Sequence, residues 1–296
     1  MATRILGAGA LGGALLSVAY RWKRPADQWV SVLSYNLLAR PFTKYEKQHH
    51  RNPADKIETE AQTRERYSVS AKTIIAEKPH VVLLQECEPA YFNLESNKHA
   101  DTLLAMYNLF PCFGRQPDGG ISPSTAVLLR RDSAKALEVV PRCVGGDEAC
   151  GGTSKTCTVV DATIHQQVHR FASCHFAFDG LAEKRRHHVD LLESRMSKCQ
   201  RLVIGGDFNA ANKSMKDLQR NSFLHDLDQP SLDAPLGTVS SEQKTIDHFF
   251  IRGYRVLQTA CLHVAKCPYG EGVPAEIVGG SDHVPILVHL ESSASE

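Results

Sequence analysis

The stretch LVIGGDFNA, residues 202–210, is the part of the sequence from which we predict the fold of the chain. Its first three residues, Leu202 to Ile204, are apolar and predict a short buried strand. Asp207 and Asn209 follow closely, so two polar side chains stand where the strand ends. Functional side chains of α/β proteins gather at strand ends, because the sheet holds them rigidly and they converge there. The stretch therefore predicts an α/β fold with a site at its strand ends.

A second predicted strand shows the same pattern. Val81 to Leu84 is an unbroken apolar run, which predicts a strand buried on both faces, and it ends at Gln85 and Glu86. Helices predicted over residues 67–78, 90–107 and 183–198 alternate with the strands, as in an α/β fold. The remaining members of this polar set lie beside or within other predicted strands and are Asn36, His175, Asp247, Asp282 and His283.

The residue types of the polar set indicate a site for a divalent cation. Carboxylates and carboxamides supply the oxygen ligands that Mg²⁺ and Mn²⁺ prefer, and few cysteines lie nearby to favour zinc. The two histidines of the set are suited to proton transfer or to hydrogen bonds with a phosphate group.

Length and charge narrow the class of protein further. A chain of 296 residues suggests two domains or one large one, and because no linker-like segment interrupts residues 29–292 we predict one domain there. Lys and Arg number 34 against 33 Asp and Glu, so the formal net charge is +1. This balance argues against nucleic-acid binding through a broad basic surface, although it leaves room for a local basic groove.

Residues 1–28, which precede the predicted domain, are interpreted as a targeting or membrane-anchor segment. Residues 5–20, ILGAGALGGALLSVAY, carry no charge and have basic residues on both flanks. Three hypotheses stay open: a mitochondrial-type presequence, a short membrane anchor with the body on the cytoplasmic or matrix-like side, and a secretory signal peptide. The expected localisation is mitochondrial or membrane-anchored, or cytoplasmic if the segment is not a signal.

The nine cysteines are scattered through the chain and form no C-x-x-C pair, which leaves zinc ribbons and thioredoxin-like motifs unsupported. Cys143, Cys150 and Cys157 are evenly spaced in a Gly-rich stretch, so a disulfide loop or a metal knuckle is an alternative there. We expect reduced thiols in a reducing compartment.

Six segments in this order resemble the endonuclease/exonuclease/phosphatase superfamily of metal-dependent phosphodiesterases. They are SYNLLA (34–39), LLQECE (83–88), SCHF (173–176), GGDFNA (205–210), TIDHFF (245–250) and GGSDHVPI (279–286). Each segment alone is a weak signal, whereas six in the family's order are a strong one. The long insertion between Asn36 and Glu86 is similar to that of the deadenylase and nocturnin-like branch, and a branch like the tyrosyl-DNA phosphodiesterases is the other candidate.

The resemblance implies a four-layer α/β sandwich, in which two facing mixed β-sheets are flanked by helices. It also implies a division of roles within the polar set. Glu86 is similar to the principal Mg²⁺ ligand of the family, with Asn36 beside it and Asp282 as a further carboxylate on the metal side.

The catalytic roles follow from the same resemblance. Asp207 and Asn209 are similar to the pair that handles the attacking water and the scissile phosphate, and His175 to a phosphate-binding histidine. Asp247 is similar to the carboxylate that orients His283. Whether Asp207 or His283 takes the proton of the water stays open.

The activity that the resemblance implies is Mg²⁺-dependent hydrolysis of a phosphodiester bond, with Mn²⁺ as the other candidate ion. We expect a nucleic acid or nucleotide substrate, as for an RNA 3′-exonuclease, and no obligate protein partner. One alternative is a lipid phosphodiesterase of the neutral sphingomyelinase kind, which residues 5–20 would bring to a membrane. The other is a non-catalytic binding module with a decayed site.

Some residues depart from the family pattern or lie outside it. His248 stands where many relatives have an aromatic residue, which puts stacking of the substrate there in doubt. The pairs His49-His50 and His187-His188 are expected to be solvated, and Arg185 and Arg186 are candidates to contact a phosphate backbone.

Overall fold

A computed structural model of the chain describes the segments 29–39, 59–115, 121–137, 142–144, 157–176, 182–196, 198–220, 222–231, 245–262, 281 and 283–293. Residues 1–28 and Asp282, on which two of the predictions depend, lie outside these segments. None of the helices in the described segments is both long enough and apolar enough to cross a membrane.

The described residues form twelve strands, four α-helices and two short 3₁₀ helices. The strands are β1 (Trp29–Asn36), β2 (Val81–Cys87), β3 (Tyr107–Arg115), β4 (Ile121–Arg130), β5 (Ala134–Ala136), β6 (Arg142–Val144), β7 (Cys157–Ile164), β8 (Gln167–His175), β9 (Leu202–Asp207), β10 (Asp247–Arg252), β11 (Tyr254–Cys261) and β12 (Ile286–Ser292). The α-helices are α1 (Glu60–Glu77), α2 (Ala100–Met106), α3 (Ala182–Met196) and α4 (Asn212–Arg220), and the 3₁₀ helices are Pro89–Phe92 and Phe223–Asp226.

The strands make two mixed sheets. The first has the order β11-β12-β1-β2-β4-β3, and the second has the order β10-β9-β8-β7-β5 with β6 also paired to β7. Each sheet contains one parallel pair, β1 with β2 and β8 with β9, among antiparallel neighbours. Helix α1 connects the first parallel pair and α3 connects the second, as crossover connections between parallel strands require.

Three apolar layers show how the sheets and helices stack. The layer between the two sheets joins Val32 and Val81 of the first sheet to Phe171 and Val203 of the second. On the outer face of the first sheet, strands β1, β2 and β4 pack against α1 and α2. On the outer face of the second sheet, β8, β9 and β10 pack against α3 and α4. The four-layer α/β sandwich that the sequence predicts is therefore confirmed.

The register of the parallel pairs brings the polar strand ends to one edge of the sandwich. Asn36 lies opposite Gln85 at the end of the first pair, and His175 lies opposite Asp207 at the end of the second. The antiparallel neighbour β10 places Asp247 opposite Asp207. This edge, between the two sheets, is where the predicted site lies.

The helix predicted over residues 90–107 is wrong. The chain there forms the 3₁₀ helix, then turns, then the short α2, and Tyr107 already begins β3. Asn93 Oδ1 accepts the main-chain N–H of Glu95 at 2.9 Å, and Asn97 Nδ2 donates to the carbonyl of Tyr91 at 2.8 Å. Such side-chain bonds to the backbone favour turns over a continuous helix.

The helix predicted over 67–78 begins earlier, at Glu60, because Thr59 and Gln62 form a capping box. It ends where Lys78 adopts a left-handed conformation ahead of Pro79. Strands β3, β5, β6 and β11 and helix α4 have no counterpart among the predicted elements.

The expectation that the cysteines are reduced thiols is wrong for Cys112. Cys87, Cys157, Cys174, Cys199 and Cys261 are free thiols. Cys112 is disulfide-bonded.

Candidate active site

Four side chains from the ends of the two parallel pairs meet between the sheets. Asn36 Nδ2 lies 3.1 Å from Asp207 Oδ2 and 3.3 Å from Glu86 Oε1. His175 Nε2 lies 3.5 Å from the same oxygen of Asp207 and 3.6 Å from the same oxygen of Glu86. Glu86 and Asp207 are only 7% and 2% exposed. Two carboxylates are thus buried around one small volume.

This volume suits a divalent cation. Each of Glu86, His175 and Asp207 offers one ligand atom, and these atoms lie within 4.8 Å of one another. No other group of three His, Cys, Asp or Glu side chains converges in this way within the described segments. Because two buried carboxylates at this separation repel each other, a cation between them would relieve the repulsion. The residues present therefore fit a bound divalent metal ion.

Asn36 presents its amide nitrogen, not its oxygen, to the carboxylates. Its Oδ1 accepts the main-chain N–H of Leu38 at 3.0 Å, which turns Nδ2 toward Glu86 and Asp207. Its main-chain carbonyl accepts the hydroxyl of Ser281 at 2.7 Å. Asn36 thus acts in this structure as a hydrogen-bond donor to the two carboxylates.

Glu86 is held by an unusual backbone. It has a positive φ of 51°, and the pairing of β2 with β4 shifts register between Leu84 and Cys87. The second carboxylate oxygen of Glu86 accepts the main-chain N–H of Ala39 at 3.0 Å. A non-glycine residue in this conformation is strained, and such residues cluster at functional sites. The irregularity aims the Glu86 side chain across the sheets.

The Asp207-Phe208-Asn209 segment is fixed by contacts from three directions. Asn209 has a φ of 47°, and its N–H donates to Asp207 Oδ1 at 2.8 Å. Its side-chain Nδ2 donates to the carbonyl of Phe176 at 2.9 Å, and its own carbonyl accepts from Arg185 Nη1 at 3.0 Å. Helix α3, the residue that follows β8 and the end of β9 thus all support this turn.

The strand that delivers Asp207 depends on a glycine. Gly206 has a φ of 146°, and a Cβ there would lie 2.0 Å from the carbonyl oxygen of Cys174. No other residue allows β9 to approach β8 so closely at this point. The glycine therefore helps to bring Asp207 beside His175.

A second pair of residues faces the carboxylates from the other side. His283 Nδ1 lies 2.8 Å from Asp247 Oδ2, and both residues are buried. His283 Nε2 lies 3.4 Å from Asn36 Nδ2 and 3.9 Å from Asp207 Oδ2. Because Asp247 holds one ring nitrogen of His283, the other nitrogen is directed toward Asp207.

The structure brings together all the predicted site residues that it describes. These are Asn36, Glu86, His175, Asp207, Asn209, Asp247 and His283. Asp282 lies outside the described residues. One difference from the implied division of roles is that Asp207 belongs to the group that fits a cation, with Glu86 and His175.

The predictions for the His187-His188 pair and for Arg185, which lie outside the matched segments, are wrong. His188 is 2% exposed rather than solvated, and its ring lies 5.3 Å from that of Phe176. Arg185 is 4% exposed and reaches the carbonyl of Asn209, because it lies on the face of α3 that packs on the sheet. His187 is half-buried, while His49 and His50 lie outside the described segments.

His248 does not face the cation volume. Its Nε2 lies 2.9 Å from the carbonyl of Ala210, and its Nδ1 lies 2.9 Å from Gln229 Nε2. Its ring packs near Phe208, and burial lowers the pKa of His248. It supports the back of the Asp207 segment, which agrees with the doubt about substrate stacking at this position.

Two residues that support the site, Ser281 and Arg185, are not among the predicted site residues. Ser281 accepts the N–H of His283 at 3.2 Å and donates to Asn36, so it joins two of the matched segments. The signal for it was present, since Ser281 stands within GGSDHVPI. Arg185 had no such signal, because nothing in the local sequence relates it to Asn209.

Comparison with known proteins agrees with this geometry. The family model described as the Endonuclease/Exonuclease/phosphatase family matches residues 33–283. The chain belongs to the endonuclease/exonuclease/phosphatase family. It is therefore an enzyme, a metal-dependent hydrolase that acts on phosphate esters. No curated protein sequence matches it.

Solved structures share the fold of this family member. TDP2 of D. rerio, complexed with single-strand DNA product, is 14% identical with a TM-score of 0.61 over 90% of this chain and all (100%) of that one. The catalytic domain of human nocturnin, with bound sulfate, is 16% identical with a TM-score of 0.61 over 90% and 94%. ANGEL2, a 2′,3′-cyclic phosphatase in complex with adenosine-2′,3′-vanadate, is 16% identical with a TM-score of 0.64 over 90% and 96%. At such identities the likeness shows the fold alone.

Proposed function

We propose that this enzyme hydrolyses a phosphodiester bond in a nucleic acid or nucleotide and that it depends on Mg²⁺. The observation that carries the proposal is the meeting of Glu86, His175 and Asp207 beside the Asp247–His283 pair. A cation volume next to an oriented histidine is what metal-assisted hydrolysis of a phosphate ester requires. The same convergence argues against a binding module with a decayed site.

The ion is assigned from the donor atoms. Glu86 and Asp207 supply carboxylate oxygens, which suit Mg²⁺ and, as a second choice, Mn²⁺. Because Mg²⁺ prefers oxygen ligands, we place the ion against these two residues and leave His175 to donate a hydrogen bond to the phosphate. When bound, the cation supplies neutralisation of the phosphate charge and stabilisation of the leaving oxygen.

His283 is the better candidate for the general base. Both oxygens of Asp207 already accept hydrogen bonds, Oδ1 from Asn209 N–H and Oδ2 from Asn36 Nδ2. His283 Nε2 faces the site, while its Nδ1 is held by Asp247, which fixes the tautomer and would stabilise the charged ring. We infer that His283 takes the proton of the attacking water and that Asn209 keeps Asp207 in place.

The substrate class is supported by the family and by two solved relatives. The TDP2 structure contains single-strand DNA product, and the ANGEL2 structure contains adenosine-2′,3′-vanadate. We therefore infer a nucleotide unit next to the scissile bond, as in an RNA 3′-exonuclease. The domain is proposed to extend over residues 29–292, with residues 1–28 acting in targeting or anchoring. We propose no obligate protein partner.

An activity panel tests the proposed function. Purified full-length chain is incubated with Mg²⁺, with Mn²⁺ and with EDTA on poly(A) RNA, abasic DNA, 5′-tyrosyl DNA, dinucleotide phosphates and sphingomyelin. We expect turnover of a nucleic acid or nucleotide that stops in EDTA and returns when Mg²⁺ is added. Cleavage that persists in excess chelator contradicts the metal mechanism, and cleavage of sphingomyelin alone contradicts the substrate class.

A further inference from the structure

A row of buried polar side chains joins the two sheets just beneath the site. We call it the inter-sheet polar row, and its members are Ser34, Gln85, Thr125, Thr158 and Ser173. Gln85 Nε2 donates to Ser173 Oγ at 3.0 Å, and Ser173 Oγ donates to the carbonyl of Leu84 at 2.7 Å. The row therefore links β2 of the first sheet directly to β8 of the second.

A second link continues the row at the neighbouring strands. Thr125 Oγ1 and Thr158 Oγ1 lie 2.8 Å apart, and Thr158 Oγ1 donates to the carbonyl of Thr125 at 2.9 Å. Thr158 lies opposite Ser173 in the β7–β8 register, so the two links are adjacent. On the other side, Ser34 Oγ lies 3.4 Å from Gln85 Oε1.

The row lies between the apolar layer and the cation volume. Gln85 immediately precedes Glu86, and Ser173 lies two residues before His175. All members are buried, Ser34 to 2% exposure and the others to 0%. Leu83 and Phe249 of the apolar layer lie directly below, where both contact the position that a Cβ of Gly205 would occupy.

The hydrogen bonds of the row restrict the distance between the two sheets more narrowly than the apolar layer does. Apolar packing is non-directional and tolerates small shifts between the two sheets. A buried hydrogen bond has a narrow range of distance and angle, and leaving its donor or acceptor unpaired is costly. The row therefore fixes the spacing of the sheets at the level of the site.

We propose that the inter-sheet polar row sets the separation between the two halves of the cation volume and thereby its choice of ion. The inference rests on the proposed function, since it concerns the same ion. Glu86 comes from the first sheet, whereas Asp207 and His175 come from the second. Gln85 and Ser173 are positioning residues in this scheme, because their side chains bond to each other and to the carbonyls of Leu83 and Leu84 and not to the ion.

The separation of the two sheets at the cation volume affects the choice of ion because Mg²⁺ and Ca²⁺ differ in size. Mg²⁺ requires oxygen ligands at about 2.0–2.1 Å in near-octahedral geometry, whereas Ca²⁺ accepts about 2.3–2.6 Å with flexible geometry. If the two sheets move apart by a few tenths of an ångström, the volume loses its fit to Mg²⁺ before it loses its fit to Ca²⁺. The row thus favours the small ion.

Ion-binding measurements on full-length variants test this inference. Ser173→Ala removes both bonds of the serine hydroxyl, and Gln85→Met removes the amide with little change in shape. Mn²⁺ affinity is measured by electron paramagnetic resonance, and Mg²⁺ and Ca²⁺ affinities by competition with it. We expect the ratio of Mg²⁺ to Ca²⁺ affinity to fall at least tenfold in both variants. Ser173→Thr, which keeps the hydroxyl, should retain most of the preference.

The matched control is a different buried hydrogen bond between the sheets, which lies outside the inter-sheet polar row and far from the site. Tyr254 of β11 is hydrogen-bonded to His169 Nδ1 of β8, and Tyr254→Phe removes that bond. The ratio should not change in Tyr254→Phe. An unchanged ratio in folded Ser173→Ala overturns the inference, and so does an equal fall in Tyr254→Phe. If wild-type chain binds none of the three ions, the proposed function itself fails, which is a distinguishable result.

Discussion

His283 and Asp247 come from different sheets and meet at 2.8 Å between Nδ1 and Oδ2. Asp247 begins β10 of the second sheet, while His283 lies three residues before β12 of the first. Their hydrogen bond closes one side of the site, and it exists only because the two sheets face each other. The bond also determines which nitrogen of His283 is left for chemistry.

Asp247→Asn should leave the fold intact and lower kcat by about 10²–10⁴-fold, since an oriented general base contributes about that much. The amide cannot stabilise the charged His283 ring, so the loss should appear in kcat more than in KM. The matched control is Asp226→Asn, which alters an exposed Asp–His pair with an N–O distance of 3.7 Å. Equal loss in the control would contradict the role of Asp247.

Glu86→Gln should weaken Mn²⁺ binding by at least tenfold, because an amide has no charge to offer the cation. Isothermal titration calorimetry with Mn²⁺ measures this without any substrate. Glu65→Gln serves as the control, since Glu65 is exposed and pairs only with Lys98 among its described ion pairs. Retention of full Mn²⁺ affinity in Glu86→Gln would remove Glu86 from the proposed ligands.

Arg185→Ala should lower kcat and also destabilise the fold by about 1–3 kcal/mol, the usual penalty for a buried carbonyl that loses a charged donor. The Asn209 turn would then be supported from two directions instead of three. Urea denaturation and steady-state kinetics measure the two effects. Arg186→Ala removes a bond from the next residue to the carbonyl of Asp217 at the surface. It should change neither kcat nor the free energy of unfolding.

Acid should destabilise the protein through His80. Burial, together with Arg130 and His165 nearby, lowers the pKa of His80 to about 3, while Asp132 opposes the shift. Its Nδ1 accepts the N–H of Ser31 at 3.1 Å, which the protonated ring cannot do. The folded state keeps His80 neutral, whereas the unfolded chain protonates it below its usual pKa of about 6.5. The contribution of His80 to the free energy of unfolding is therefore complete above pH 6.5 and is lost as the pH falls toward 3.

The measurement is the free energy of unfolding as a function of pH. Between about pH 6 and pH 4 the slope from this one group should approach about 1.4 kcal/mol per pH unit. His80→Gln should reduce that slope, whereas His225→Gln at an exposed position should not. An unchanged slope in His80→Gln would show that other groups carry the acid sensitivity.

The strands that deliver the site could be predicted because their signals are local. An apolar run such as Val81 to Leu84 must be buried, and a polar residue directly after it must stand at the strand end. The helix predicted over residues 90–107 is wrong because other local signals were overlooked. Residues 95–99 (ESNKH) carry no apolar side chain, and the hydrogen bonds of Asn93 and Asn97 with the main chain favour turns there.

The sequence by itself thus determined which residue types stand at the strand ends, since strand formation and burial depend on neighbours along the chain. Only the tertiary structure decided which of them meet and what supports them. Asp247 reaches His283, Arg185 reaches Asn209 and Gln85 reaches Ser173 through the packing of separate layers. Such contacts depend on the register of the strands and the distance between the sheets, and no local pattern encodes either.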